Sequence, residues 1–236
     1  SVQLQKQEFA LLPAKFGIVI DTGPQRRLTR TSGDVRIEAS KGTLLVRADG
    51  LQAGRKAGDP KAAVDLALAL VRWFMATKGV DASGRGRMAQ HVASGASLPD
   101  ALQGGLIPNP AANIPAPGPM AQGLLVAAAF GQMTADDLRA LAACATTGLH
   151  VTPWRMIYLP APRRLPVMSP SGNLITDPGD PLLRVDACPG AAACPQASVD
   201  TRGLARRLAP MIRAPARLQV SGCAKGCARG LSAALP

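Results

Sequence analysis

The chain has 236 residues and is 47% hydrophobic, which is enough for a sizeable core in one large or two small domains. Its net charge of +12 indicates an anionic partner, but the basic residues are scattered and not interleaved with aromatic residues, which argues against nucleic acid. The longest apolar run, residues 62–77, contains Asp65 and Arg72 and is too short to span a bilayer. We therefore expect a small polyanionic ligand, recognised by forked guanidiniums, and no membrane-spanning segment.

The same features predict a cytoplasmic protein. Residues 1–9 are polar and lack the apolar segment of a signal peptide. The five cysteines, four of them in two pairs, favour a reducing compartment and a metal centre over disulfides.

The first part of the chain, residues 1–104, is predicted to be an α+β module without cysteine. Residues 16–21 have the pattern of a strand. Residues 34–39 and 43–48 alternate between apolar and polar side chains, and the Ser-Lys-Gly between them indicates a hairpin. These strands and the helix that follows form the predicted module.

That helix begins at Asp59-Pro60, in the order of an N-cap followed by a proline, and ends at Lys78-Gly79. Its buried face is predicted to consist of six apolar residues, namely Val64, Ala67, Leu68, Val71, Phe74 and Met75.

Residues 84–89, GRGRMA, match a dinucleotide-binding fingerprint in letters only. A helix precedes the match where the fingerprint requires a strand, so we interpret it as accidental. Arg87 is a candidate for binding a substrate carboxylate instead.

Residues 105–121 are proline-rich and are predicted to be a linker. After it, residues 122–130 and 149–159 are predicted strands on either side of a helix, in a compact βαβ pattern. Thr134 and Asp137 form a capping box at the start of that helix, whose inward residues are predicted to be Leu138, Leu141 and Ala142 and whose end is Gly148. Cys144, within the helix, is predicted to be an ordinary core residue.

The remaining four cysteines follow two predicted strands, residues 182–187 and 217–222. A helix over residues 197–209 lies between the strands, so the pattern predicts a βαβ unit with parallel strands. Parallel strands end at one edge of a sheet, which would bring together the Cys-x5-Cys pair of Cys188 and Cys194 and the Cys-x3-Cys pair of Cys223 and Cys227.

Four thiolates can hold zinc or an iron–sulfur cluster. Structural zinc sites favour spacers of about two to four residues, which the first pair exceeds. Small residues around the cysteines allow backbone amides to approach cluster sulfides, which favours a 4Fe–4S cluster. Four buried structural cysteines would be the alternative.

The cysteine segments ACPGAAAC and SGCAKGCA resemble those of the nitrite and sulfite reductase family. In that family the four cysteines bind a 4Fe–4S cluster, and the last one also bridges to the iron of sirohaem. The resemblance implies an α+β fold of two pseudo-equivalent halves, each a ferredoxin-like half-domain followed by an α/β sheet module, with the cluster in the second half. Residues 122–165 would be the second ferredoxin-like half-domain, and residues 166–236 the cluster module.

Within the family, the chain is most similar to the oxygen-dependent branch that acts in aerobic cobalamin synthesis. This similarity implies a monooxygenase that hydroxylates precorrin-3A at C20 with O2 and forms a γ-lactone, using NADH or a partner reductase as electron donor. It also allows a mononuclear non-haem iron, for which a two-histidine triad would need both His91 and His150.

The resemblance further implies three ligand-binding residues. Arg155 matches a basic residue that faces the tetrapyrrole, and Lys15 matches the first of two anion-binding lysines. Lys225, between the last two cysteines, would orient a carboxylate or tune the cluster. An outward-facing arginine and a solvated lysine are the alternative interpretations of Arg155 and Lys225.

Other functions stay open at this stage. Gly17 stands where the reductases have their second lysine, and Ala14 where they have an arginine, which ranks a sirohaem sulfite or nitrite reductase second. A non-catalytic iron–sulfur electron carrier or a zinc-stabilised module ranks third. The family's first half-domain has no counterpart before Leu12, so we expect a fragment or a chain lacking internal pieces.

Overall fold

The computed structural model describes residues 7–163 and 171–230. These residues form a mixed α+β protein with several small sheets, which confirms the predicted α+β class. The chain divides into two compact units, Ser1–Asn113 and Ile114–Pro236. Among the described residues, no helix is long and apolar enough to cross a membrane.

The first unit contains a four-stranded sheet in the order β1-β2-β3-β4. Its strands are β1 (Ile18–Asp21), β2 (Val35–Ser40), β3 (Thr43–Ala48) and β4 (Arg55–Ala57). The first pair is parallel and the other two pairs are antiparallel. The predicted hairpin is confirmed, since Lys41 and Gly42 link β2 to β3 with φ of 46° and 82°, the left-handed conformations of a tight hairpin turn.

Helix α1 (Pro60–Ala76) packs against β2 and β3, and the short α2 (Met88–Ala93) follows it. The start of α1 is confirmed, because the Asp59 side chain accepts a hydrogen bond from Ala62 N. Its predicted buried face was wrong in part. Val64 is exposed, whereas Leu70 and Trp73 are buried because residues 97–98 cover a second side of the helix.

The Asp59 cap leads to a first prediction. Asp59→Ala should lower the free energy of unfolding of this unit by about 1 kcal/mol, because it removes the acceptor for an otherwise unpaired helix N–H. Urea unfolding followed by Trp73 fluorescence in a Trp154→Phe background measures this unit alone, since Trp154 lies in the other unit. Asp65→Ala, which breaks only an exposed ion pair with Lys61, should change the stability by less than half as much.

The sheet face opposite α1 carries buried charges. Glu38 accepts from Arg47 and Arg26, while Arg36 donates to Asp49 and to the carbonyls of Leu28 and Thr31. Through Arg26, Leu28 and Thr31, these bonds hold the loop of residues 22–33 against the sheet.

The first half of the predicted 105–121 linker packs on this unit instead of connecting freely. Leu106 pairs with Gly54, and Ala111 pairs with Arg26. Asn109 makes backbone and side-chain hydrogen bonds to Gly23, Arg26, Ala39 and Lys41. The amide side chain supplies partners that a proline-rich segment cannot provide for itself.

The second unit begins with a sheet in the order β5-β6-β8-β7, with β9 also paired to β6. Its strands are β5 (Gly118–Met120), β6 (Gly123–Ala128), β7 (His150–Val151), β8 (Met156–Pro160) and β9 (Leu174–Ile175). The predicted single strand over residues 149–159 was wrong, because a turn at Thr152–Arg155 divides it into β7 and β8. The predicted βαβ pattern was also wrong for this segment, because β6 and β8 are antiparallel neighbours and a βαβ unit has parallel strands.

Helix α3 (Ala135–Cys144) begins with the predicted capping box and ends before Gly148. Cys144 lies in the core, as predicted, together with Leu141. The prediction that Leu138 and Ala142 point inward was wrong. Asp137 is buried instead, because its carboxylate accepts hydrogen bonds from Thr134 N at the start of the helix and from the Ser171 hydroxyl.

The last elements are β10 (Val185–Ala187), α4 (Thr201–Leu208) and β11 (Leu218–Val220). The two strands are parallel and in register, which confirms the predicted arrangement. Residues 181–184 form a 3-10 turn where strand was predicted, because Asp180 caps Leu182 N. The predicted boundary between residues 165 and 166 lies outside the described residues. On either side of it, Phe130 and Leu182 pack in one apolar cluster with β10, β11 and α4.

Candidate metal centre

The two cysteine pairs begin at the same edge of the β10–β11 sheet. Ala187 pairs with Val220 at the ends of the strands, and Cys188 N donates to Val220 O at 3.1 Å. Cys188 therefore follows β10 directly, while Cys223 lies three residues after the end of β11. The loops that carry all four thiols start side by side.

The first loop folds back onto the start of α4. Cys194 N donates to Gly190 O at 2.9 Å, and Ala191 N donates to Val199 O at 2.9 Å. Gly190 has a φ of 71°, and a Cβ there would lie 2.5 Å from Thr201 Oγ1. Glycine is the residue that allows both this backbone conformation and this close approach.

The second loop is joined to the first through Gly222. Its N–H points at Cys188 Sγ at 3.2 Å, and its carbonyl accepts from Ser198 N at 3.1 Å. A Cβ on Gly222 would lie 2.6 Å from the Ala197 Cβ. The small residues noted in the sequence thus let the two loops pack together.

Cys188 lies among hydrogen-bond donors. Burial raises the pKa of its thiol, but backbone N–H groups of Gly222 and Gly190 and the Thr201 hydroxyl outweigh this and lower the pKa below its ordinary value. Thr201 is itself buried and hydrogen bonds to Cys188 O at 2.6 Å. These donors therefore shift the equilibrium of Cys188 toward the thiolate, which is the form that binds metals.

The other three thiols are also reduced and accessible. Cys194 and Cys223 are half-buried, and Cys227 is exposed at the start of a 3-10 turn. Within residues 7–163 and 171–230, no group of three or more His, Cys, Asp or Glu side chains is arranged to hold a metal ion. The argument for a thiolate-bound centre therefore rests on the presence of four cysteine thiols and on the common strand edge from which both loops start.

The importance of Gly222 gives a second prediction. Gly222→Ala should displace the N–H from Cys188 Sγ, because the added methyl group overlaps Ala197. We expect faster loss of iron from the reconstituted protein in a chelator challenge. Gly58→Ala, at a position with open space around it, is the matched control. Equal rates of iron loss for the two variants would contradict the assigned role.

Two of the predicted ligand-binding residues belong to this second unit. Lys225 is exposed in the turn between Cys223 and Cys227. Arg155 lies in the turn before β8, not within a strand, and donates to Asp186 on β10 at 2.8 Å. On either side of it, Met156 is buried in an apolar cluster and Trp154 packs against that cluster.

The other two, Lys15 and Arg87, lie in the first unit, where Arg87 pairs with a buried carboxylate. Asp34 is fully buried and accepts from Gly17 N, Arg87 Nε and Met88 N, each at 2.9 Å. Arg87 also donates to Ser32. The structure thus uses the Arg87 guanidinium to neutralise Asp34, because an isolated buried carboxylate would be unstable. Lys15 is exposed, two residues before Gly17.

The GRGRMA segment has no strand before it, as expected, since it follows α1 and a turn. The two histidines lie in different units. His91 Nε2 is 2.7 Å from Thr77 Oγ1, and His150 packs edge-on against Tyr158.

Sequence reasoning missed Thr201, Asp186 and Arg217. The Asp200-Thr201 pair before a helical segment signals a helix start, and Asp186 is an acid inside an apolar strand. Neither signal reveals which distant residue would be its partner.

Comparisons with protein-family models, curated proteins and solved structures found no match for this chain. The family resemblance therefore rests on the cysteine spacing and its flanking residues.

Proposed function

We propose that Cys188, Cys194, Cys223 and Cys227 hold a 4Fe–4S cluster in a fold of the nitrite and sulfite reductase type, and that the chain acts as a cytoplasmic precorrin-3B synthase. The observation that carries the proposal is the in-register pair of parallel strands, from whose common edge both cysteine loops start. The substrate and the reaction come from the family resemblance.

Two features favour a cluster over a single zinc ion. The five-residue spacer of the first pair is longer than in structural zinc sites. The Gly222 N–H is already directed at a cysteine sulfur, and hydrogen bonds to sulfur are among the features that set a cluster's potential.

The proposed reaction inserts one atom of O2 at C20 of precorrin-3A and reduces the other to water. This consumes two electrons and two protons. NADH, directly or through a partner reductase, would supply the two electrons and one proton, and the solvent would supply the other proton. When bound, the cluster would supply electrons one at a time. We assign no ligands to the mononuclear non-haem iron that the resemblance allows.

The chain's own residues would bind and orient the substrate. Precorrin-3A carries several acetate and propionate groups, and Arg155 and Lys225 are cations in the unit that bears the cysteines. Lys15 is proposed as a further contact. Arg87 could contribute only the donors that Asp34, Ser32 and Gly33 leave unused.

The alternatives differ in their bound groups. A sirohaem reductase would show a strong porphyrinoid band after purification, and a zinc module would contain zinc without acid-labile sulfide. Anaerobic purification with metal and sulfide analysis separates these cases. Incubation with precorrin-3A, O2 and a reductant then tests the activity, and we expect a hydroxylated lactone. A loaded protein that gives no such product under these conditions would overturn the proposed reaction.

A further inference from the structure

Two arginines and one aspartate form a cluster beside the cysteine-bearing strands. Asp186 lies in the middle of β10, and its side chain is only 9% exposed. One oxygen accepts from Arg155 Nη1 at 2.8 Å, and the other lies 3.4 Å from Arg217 Nη2. The arginine side chains are 42% and 37% exposed, so the buried carboxylate joins two cations that reach the surface.

The Asp186 carboxylate contacts two guanidiniums, so these three side chains together carry a net positive charge. Within the described part of the chain, neither arginine forms a second ion pair. A guanidinium has five N–H donors, and the contact with Asp186 uses one nitrogen of each. Donors therefore remain for an external anion.

Arg155 is also held in place by its backbone. It has a φ of 59°, a conformation that is uncommon for a residue with a side chain. Its stem lies along Gly131, where an added Cβ would be 3.1 Å from Arg155 Cδ. Because the backbone and the Gly131 contact already restrict the Arg155 side chain, binding an anion here would cost less of that side chain's conformational entropy.

We propose that Arg155 and Arg217, bridged by Asp186, form an anion subsite that takes one carboxylate of a polycarboxylate ligand. Asp186 lies on β10 and Cys188 directly follows that strand, which places the subsite beside the proposed cluster. The identity of the ligand as a tetrapyrrole substrate rests on the proposed function. The anion-binding chemistry rests on the three side chains.

A binding titration with uroporphyrin, a porphyrin with eight carboxylates, tests the subsite on the full chain. Quenching of porphyrin fluorescence gives the dissociation constant and does not require turnover. Arg155→Gln and Arg217→Gln should each weaken binding by about 10- to 100-fold, because each removes a charge-assisted hydrogen bond. Arg139→Gln makes the same change in net charge at an exposed local ion pair and should leave the affinity unchanged.

Asp186→Asn separates a binding role from a structural one. Removing the internal carboxylate should tighten uroporphyrin binding several-fold, since that carboxylate competes for the same donors. Weaker binding by a folded Asp186→Asn protein, or arginine variants that bind like Arg139→Gln, would overturn the proposal. If Arg155→Gln fails to fold, Arg217→Lys provides the test. Lysine keeps the positive charge but lacks the paired N–H donors of a guanidinium, so this variant should still bind uroporphyrin more weakly.

The outcome is independent of the cluster. Arginine-dependent binding by a chain that never holds iron would leave the subsite standing and remove the proposed function. A cluster-containing, active enzyme whose uroporphyrin affinity does not change in the Arg155 and Arg217 variants would support the proposed function and remove the subsite.

Discussion

Serine in place of any one of Cys188, Cys194, Cys223 or Cys227 should abolish stable binding of iron and sulfide. Each change removes one of four thiolates, and a hydroxyl is a poor replacement for a soft sulfur ligand. The loss should be similar for both loops, because the cluster needs ligands from each. Iron and acid-labile sulfide per chain, measured after anaerobic reconstitution, give the result.

Cys144→Ser provides the control for this series. Cys144 lies in the core between α3 and the sheet, away from the two loops, so this variant should keep its iron and sulfide while losing some stability. A variant of Cys194 or Cys227 that retains a full complement would show that its thiol is not a ligand. Loss of iron from the Cys144→Ser variant, with iron retained by the other four variants, would show that the metal centre does not lie at the two loops.

Glu38→Ala should lower the free energy of unfolding of the first unit by about 3–5 kcal/mol. The Glu38 side chain is only 1% exposed, and it accepts from Arg47 at 2.6 Å and from Arg26 at 3.5 Å. Its removal leaves two largely buried guanidiniums without their counterion, which costs more than the pair itself contributes.

Urea unfolding of the Trp154→Phe protein, followed by Trp73 fluorescence, measures the effect of Glu38→Ala. Glu38→Gln keeps the shape and one acceptor oxygen, so its effect should be smaller. A change below about 1 kcal/mol for Glu38→Ala would mean that water replaces the carboxylate and that the site is less enclosed than its contacts indicate.

Local signals in the sequence predicted much of the framework. The Asp59 and Thr134 caps and the Lys41-Gly42 hairpin depend on residues close in sequence, and they are confirmed. These signals identify where elements begin and end because they satisfy backbone groups of the same segment. The parallel pairing of β10 with β11 joins distant residues and was predicted from the strand-helix-strand order; it is confirmed as well.

Features that depend on distant partners were not predicted. The inward face of α3 was wrong because Asp137 is enclosed with Ser171, a residue 34 positions away. The strand before Tyr158 was divided by a turn, and the arginine in that turn pairs with Asp186, 31 residues later. Asn109 likewise attaches part of the predicted linker to the first unit. Such contacts depend on tertiary packing, which periodicity does not encode.

For the candidate site, the sequence indicated the proposed ligand residues and their common edge, while the structure added the hydrogen bonds around them. The Cys-x5-Cys and Cys-x3-Cys spacings are visible in the sequence. The contact from Gly222 N to Cys188 Sγ joins residues 34 apart, and the close approach of Gly190 to Thr201 depends on the folded loop.

The most direct test is a count of iron and acid-labile sulfide per chain after anaerobic reconstitution, with low-temperature electron paramagnetic resonance of the reduced protein. We predict four iron and four sulfide per chain and the signal of a reduced 4Fe–4S cluster, all lost when Cys188 is replaced by serine. One zinc ion per chain without sulfide, or iron content that is indifferent to Cys188, would contradict the account.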